Sequence, residues 1–226
     1  MTQVQLSKLD DAVEFAENPE PRCPCILLLD TSGSMSGAPI NALNEGIKVF
    51  KEELNRDELA AKRVEIAIIS FDSSVNVVQD FVTADQFEPT ELTASGLTQM
   101  GAAIEKALDI ISNRKSLYRN NGITYYRPWV FMITDGAPTD SDVVINRVKA
   151  RIKDEEAKKR LALFAVAVEN ADITKLSEIA VRTPIKLKGL HFREMFLWLS
   201  ASMGRVSQSR PDEQVALPSP AGWGVI

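Results

Sequence analysis

An aspartate and two serines at alternate positions, Asp30, Ser32 and Ser34, stand directly after an unbroken apolar run, Ile26-Leu27-Leu28-Leu29. All three side chains offer oxygen and none offers nitrogen or sulfur. Hard divalent cations such as magnesium prefer such donors, with few charged ligands and some water kept in the shell. Gly33 and Gly37 permit a tight loop around the hydroxyls, and Pro39 suits the first turn of a following helix. Two more oxygen donors lie at comparable junctions. Thr98 sits between Gly96 and Gly101 in SGLTQMG, just ahead of a helical pattern, and Asp135 follows the apolar run Trp129 to Ile133. Asp30, Ser32, Ser34, Thr98 and Asp135 together supply two carboxylates and three hydroxyls, enough to balance a divalent charge and fill part of an octahedral shell. Each residue alone has a plainer role: loop-forming or capping aspartate, turn-bonding serine, helix N-cap threonine. Their placement at three separate strand or helix junctions favours the joint reading.

The elements that must position them can be read from periodicity. Apolar runs predict buried strands ending at Asp30, over VEIAIISF, over Trp129 to Ile133 and over LALFAVAV. VNVVQDFV follows VEIAIISF after only Asp72-Ser73-Ser74, which predicts a hairpin and an antiparallel edge strand. PIKLKGL reads as a short sixth strand. Ile40, Leu43, Ile47, Phe50 and Leu54 recur at helical spacing. So do Ala102, Ala103, Ile104, Ala107, Leu108 and Ile111, then Val143, Val144, Val148 and Ile152, and finally Phe192, Met195, Phe196, Leu199 and Met203. Asp140 or Ser141 can cap the helix after Asp135. Strands alternating with helices predict an α/β, doubly wound, mostly parallel six-stranded sheet with one antiparallel edge strand and helices on both faces. Ligands of such sheets bind beyond the carboxyl ends of the strands. The domain spans 23–208, after a lead-in over 1–22 in which VQLSKLDDAVEF reads as strand or short helix. A proline- and glycine-rich tail over 209–226 is expected to be mobile.

The 226 residues, 45% of them hydrophobic, suffice for one sizeable core. A net charge of -5 gives no electrostatic footprint for nucleic acid or an anionic membrane. No run of about 18 apolar residues predicts a membrane span. The N-terminus lacks the basic-then-apolar profile of a signal peptide, so a cytoplasmic location is expected. Cys23 and Cys25 flank Pro24; without further cysteines for a thiolate site, reduced thiols leading into the first strand are expected. The lone histidine, His191, in GLHFREMF, fits a structural or surface role.

In this order and spacing, Asp30-x-Ser32-x-Ser34, Thr98 and Asp135 resemble the metal-ion-dependent adhesion site of a von Willebrand factor A (VWA) domain. The resemblance covers roughly Pro24 to Leu190. It implies a Rossmann-like strand order 3-2-1-4-5-6 and a bound magnesium or manganese held by those five residues. It also implies a partner Asp or Glu that completes the metal shell, and a non-enzymatic role. NPEPRCPCILLLDTSGSMSGAPI, YYRPWVFMITDGAPTD and LHFREMFLWLSASM more narrowly resemble the bacterial TerY-like proteins of tellurite-resistance clusters. That likeness implies a stress-response setting with a Ser/Thr kinase and a PP2C-type phosphatase as partners.

Other chemistries fit less well. A phosphohydrolase of haloacid-dehalogenase type needs an acid two positions after its nucleophilic aspartate, and Ser32 stands there. Gly33-Ser34-Met35-Ser36-Gly37 has the glycine spacing of a serine-hydrolase elbow but methionine at the nucleophile. No phosphate-binding glycine motif is present. A scaffold whose metal only stiffens the loops is the remaining alternative.

Overall fold

The computed structural model describes residues 13–169, 171–211 and 213–225. Its centre is β1 (Cys23–Asp30), buried along its whole length. With leucine and isoleucine pointing to both faces, this strand has no side to give to solvent and takes neighbours on both edges. β2 (Val64–Phe71) lies parallel on one side, placing Asp30 opposite Phe71. β3 (Val75–Thr83) returns antiparallel along β2, with register shifts on either side of Ile68. β4 (Trp129–Thr134) lies parallel on the other side of β1, with Leu29 level with Ile133. β5 (Ala162–Ala167) and β6 (Ile185–Leu187) continue in parallel. Gly224–Val225 forms β7, antiparallel to β6, and the sheet order is β3-β2-β1-β4-β5-β6-β7. The expected α/β architecture and the expected order of six strands are present, and β7 adds a second antiparallel edge.

Helices cover both faces. α1 (Ala38–Asn55), the short α2 (Glu58–Arg63) and α6 (Phe192–Gln208) pack with the odd-numbered residues of β1, Cys23 to Leu29. α3 (Met100–Asn120), α4 (Asp142–Ala157) and α5 (Ile173–Ile179) pack with Ile26 and Leu28 on the opposite face. The two cores follow from the two-residue alternation of a strand. α1 and α6 meet closely: a Cβ at Gly46 would lie 2.5 Å from Cδ2 of Phe196. Cys23 and Cys25 are free and fully buried in this face, and burial pushes the Cys25 thiol up to about 12.

Two elements differ from the sequence expectation. α2 starts on Asp57, whose carboxylate accepts from the N–H groups of Leu59 and Ala60, an N-cap in a stretch too short to show periodicity. The tail, expected to be mobile, carries β7, and its Trp223 is buried against Trp198 with ring centroids 5.3 Å apart. Residues 13–17 are helical, while the rest of VQLSKLDDAVEF lies outside the described residues.

A buried charge cluster fixes α3 to the sheet. Glu65 accepts from Arg22 Nε at 2.8 Å, from Arg114 Nε at 2.9 Å and from the Tyr118 hydroxyl. Phe15 closes the cluster, its ring 5.0 Å from the Arg114 guanidinium carbon. Removing charges from water is costly unless geometry and hydrogen bonds compensate. Here two guanidinium groups and a phenol do so for one carboxylate.

Candidate metal centre

The strand registers bring the site together. Because Leu29 is level with Ile133, Asp30 ends β1 beside Thr134, and Asp135 begins the loop from the adjacent strand. Thr134 donates its hydroxyl to Asp30 Oδ2 at 2.5 Å, and the Ser32 backbone N–H donates to Asp30 Oδ1 at 2.8 Å. Ser34 Oγ donates to Asp135 Oδ1 at 2.7 Å and lies 3.1 Å from Ser32 Oγ. Thr98 arrives from a third segment. Its Oγ1 and Asp30 Oδ2 both lie within 3.6 Å of the point where a Cβ on Gly136 would sit. The structure therefore brings Asp30, Ser32, Ser34, Thr98 and Asp135 into one cluster at the carboxyl edge of the sheet. Asp30, Ser32 and Thr98 form its buried base, while Ser34 is exposed and Asp135 half-buried.

Main-chain bonds tie the loops to one another. Gly33 N–H donates to the Gly96 carbonyl at 3.1 Å, and Ser95 N–H to the Thr31 carbonyl at 2.8 Å. Gly96 holds φ +75°, a left-handed conformation that favours glycine, and a Cβ there would meet Ser73 Oγ at 2.4 Å. Ser73 Oγ accepts from Leu97 N–H at 2.9 Å.

The β4–α4 loop is bolted to the start of α3. Thr139 N–H donates to the Thr98 carbonyl at 2.9 Å, and Thr98 N–H donates to Thr139 Oγ1 at 3.2 Å. Asp140 accepts from Gly101 N–H at 2.8 Å and from Ala102 N–H at 3.0 Å. This corrects one expectation. Asp140 caps α3, not the helix that follows it, and Ser141, at the N-cap of α4, makes no side-chain cap bond. Thr98 does not cap α3 either, since Gln99 holds that position.

Thr134, Gly136, Thr139 and Asp140 thus support the cluster without having been singled out for it from sequence. The only signal was their company, the run Thr134-Asp135-Gly136-Ala137-Pro138-Thr139-Asp140 after a buried strand. His191 is exposed at the N-cap of α6 and makes no side-chain cap bond there.

The electrostatics suit a missing positive charge. Burial pushes the Asp30 carboxyl above its usual range; hydrogen bonds from Ser32 and Thr134 pull it down, and neighbouring Asp135 pushes it up again. Burial is the largest influence on Asp30, and the facing Asp135 adds to it. Two facing carboxylates beside three hydroxyls fit a divalent cation, whose charge would favour both ionised forms. Among the described residues no three His, Cys, Asp or Glu side chains converge to hold a metal, so a cation here would rely on hydroxyls beside two carboxylates. That donor set suits magnesium or manganese better than a thiolate-seeking ion.

Comparisons with known proteins agree with this architecture. The profile of the von Willebrand factor type A domain family matches residues 25–186, more than half of the chain. The sequence has no significant match among curated proteins. Among solved structures, the pilus adhesin SpaC from Lactobacillus rhamnosus GG, in its open conformation, has TM-score 0.66 at 13% identity, over 82% of this chain and 30% of that one. Proximal thread matrix protein 1 from the mussel byssus, with a zinc-occupied MIDAS motif, has TM-score 0.55 at 15% identity, over 81% of this chain and 48% of that one. The ArnB paralog VWA2 from Sulfolobus acidocaldarius has TM-score 0.50 at 15% identity, over 82% of this chain and 45% of that one. At these identities the likeness is one of fold, and the chain spans about half or less of each of these proteins.

Proposed function

The chain belongs to the von Willebrand factor type A domain family, and from that premise we propose that it is a non-enzymatic, metal-dependent protein-interaction module. Domains of this type mediate protein–protein interaction and often carry a metal site. The observation that carries the reading is the convergence of Asp30, Ser32, Ser34, Thr98 and Asp135 oxygens at one sheet edge. In this reading Asp30 and Asp135 hold magnesium or manganese together with the three hydroxyls, directly or through water. A cation held there would offer a coordination position to a carboxylate of a partner protein, so the contact would depend on the metal. Thr134 and the Ser32 N–H hold the Asp30 carboxylate in one orientation, and Ser34 holds Asp135.

The setting is also part of the proposal. The three TerY-like segments support a bacterial stress or tellurite-resistance system with a Ser/Thr kinase and a PP2C-type phosphatase as partners. Two buried, unpaired cysteines suit a reducing compartment such as the cytoplasm. No helix among the described residues is long and apolar enough to cross a membrane.

The test is calorimetric titration of magnesium and manganese into the protein and into Asp30→Ala and Asp135→Ala. Both variants should lose binding while keeping the folded circular-dichroism spectrum. Unchanged metal affinity in both would overturn the site. Partner capture with and without EDTA then separates a metal-gated contact, lost on chelation, from a scaffold that keeps its partner.

A further inference from the structure

A second site of opposite charge lies at the other end of the sheet. A groove of about 990 Å³ opens where β4 and β5 begin. β4 runs from Trp129 at this groove to Thr134 at the oxygen cluster, so roughly 17 Å of strand separates the two. Lys115 and Arg119 enter it from the last turns of α3, Arg151 from α4 and Lys159 from just beyond that helix. Arg127 precedes β4, and Arg160 and Arg182 come from loops. Against these seven cations the lining offers, among the described residues, two carboxylates, Glu155 and Glu213.

Nearby acids do not cancel the excess. Glu155 is shared between Lys115 at 3.5 Å and Arg160 at 3.4 Å. Glu156 is shared between Arg127 at 2.6 Å and Arg182 at 3.2 Å, and Asp109 faces Arg151 at 2.7 Å. Among the described residues Arg119 and Lys159 make no ion pair; Arg119 spends its donors on Tyr125 Oη at 3.3 Å and Ser116 Oγ at 2.9 Å. A chain of net charge -5 thus concentrates unbalanced positive charge in one concave place. The carboxyl ends of α3 and α4 favour some of these cations through their dipoles, but Arg127 and Arg182 stand on neither helix.

We propose that this groove binds an acidic peptide segment of a protein partner, independently of the metal centre. Charge complementarity names the sign of the occupant. Seven cations spread along a groove whose remaining lining is largely apolar and aromatic favour an extended segment carrying several carboxylates over a compact ligand. Half-buried Phe164 gives apolar residues of such a segment a surface. The acidic remainder of the molecule would repel a long, densely charged nucleic acid while leaving a short segment seated in the groove. The two ends of the sheet would then engage two acidic elements, one with a cation and one without.

The test is fluorescence anisotropy with a labelled glutamate-rich peptide, EDTA present throughout so that the metal centre plays no part. The wild type should bind, more weakly as salt rises, and Arg119→Glu with Lys159→Glu should weaken binding about tenfold or more. Both positions are exposed and outside any ion pair, so the thermal midpoint should hold; should it fall, Arg119→Gln with Lys159→Gln replaces the pair and should show a smaller loss. No binding by the wild type, equal binding by the variants, or tighter binding of an oligonucleotide of the same charge would overturn the proposal. Failure here leaves the metal reading untouched, and loss of metal binding leaves this result untouched.

Discussion

Gly136→Ala tests the cluster without removing a donor atom. Its backbone needs no left-handed conformation, so the added methyl is the whole perturbation. That methyl would sit 3.1 Å from Thr98 Oγ1, 3.4 Å from Thr98 Cγ2 and 3.6 Å from Asp30 Oδ2. Thr98 must retreat by a few tenths of an ångström, and overpacking of this kind costs about 1–3 kcal/mol of stability. If Thr98 helps to hold the cation, its displacement should weaken metal affinity about 10- to 100-fold, the usual effect of disturbing the support of a metal site. The readout is thermal unfolding with and without magnesium or manganese. At a metal concentration near 100 times the wild-type dissociation constant, binding stabilises the wild type by about 2.7 kcal/mol, and a 100-fold weaker variant by about 0.4 kcal/mol. For a domain of this size each kcal/mol moves the midpoint by about 2–4 °C. The wild type should therefore gain about 5–11 °C and the variant about 1–2 °C under the same conditions. Equal metal-induced shifts in the two proteins would refute the reasoning, as would a wild type that metal does not stabilise.

Asp140→Ala should lose about 0.5–2 kcal/mol in urea unfolding by uncapping α3, and should weaken metal binding through Thr98; full stability would mean that the bonds to Gly101 and Ala102 are immaterial. Glu65→Gln removes the carboxylate that Arg22 and Arg114 share, leaving Arg114 with Glu14, and should cost about 3–5 kcal/mol while sparing metal affinity per folded molecule, checked by urea unfolding and calorimetry. For Cys25 the raised folded value, about 12 against an ordinary 9.0, means that the unfolded chain loses its proton first as pH rises. Its contribution to stability is therefore whole below pH 9.0 and is lost as pH climbs to about 12. Wild type should lose stability relative to Cys25→Ala over that window, and a thiol reagent at neutral pH should leave both cysteines unmodified until the protein unfolds.

What the sequence disclosed and what it hid divide along a physical line. β1, β2, β4 and β5 are buried on both faces, so their apolar runs announce them without help from neighbours. The hairpin was visible because Asp72-Ser73-Ser74 is too short for any crossover. By contrast, Gly224–Val225 is two residues long and is a strand only because β6 lies beside it. α2 has six residues, less than two turns, and its one sign was Asp57. In the candidate site the five oxygen donors were legible by type and spacing, each at the end of a regular element. Asp140 was misplaced because its partners, Gly101 and Ala102, are about forty residues away and capping rules look only to the next helix. Thr134 was passed over because a threonine ending an apolar strand looks like ordinary strand composition.

The loops around Asp30 and Asp135 are laced together by hydrogen bonds among residues outside the five oxygen donors' side chains, among them Gly33 to Gly96 and Thr98 N–H to Thr139. Fixing a backbone residue costs about 1–2 kcal/mol, and in this arrangement that cost is met during folding and not at the moment of encounter. The loop ends are preorganised by these bonds. Metal uptake should therefore proceed with a small heat-capacity change and at the pace at which the hydrated ion sheds water, with no slower phase from chain rearrangement.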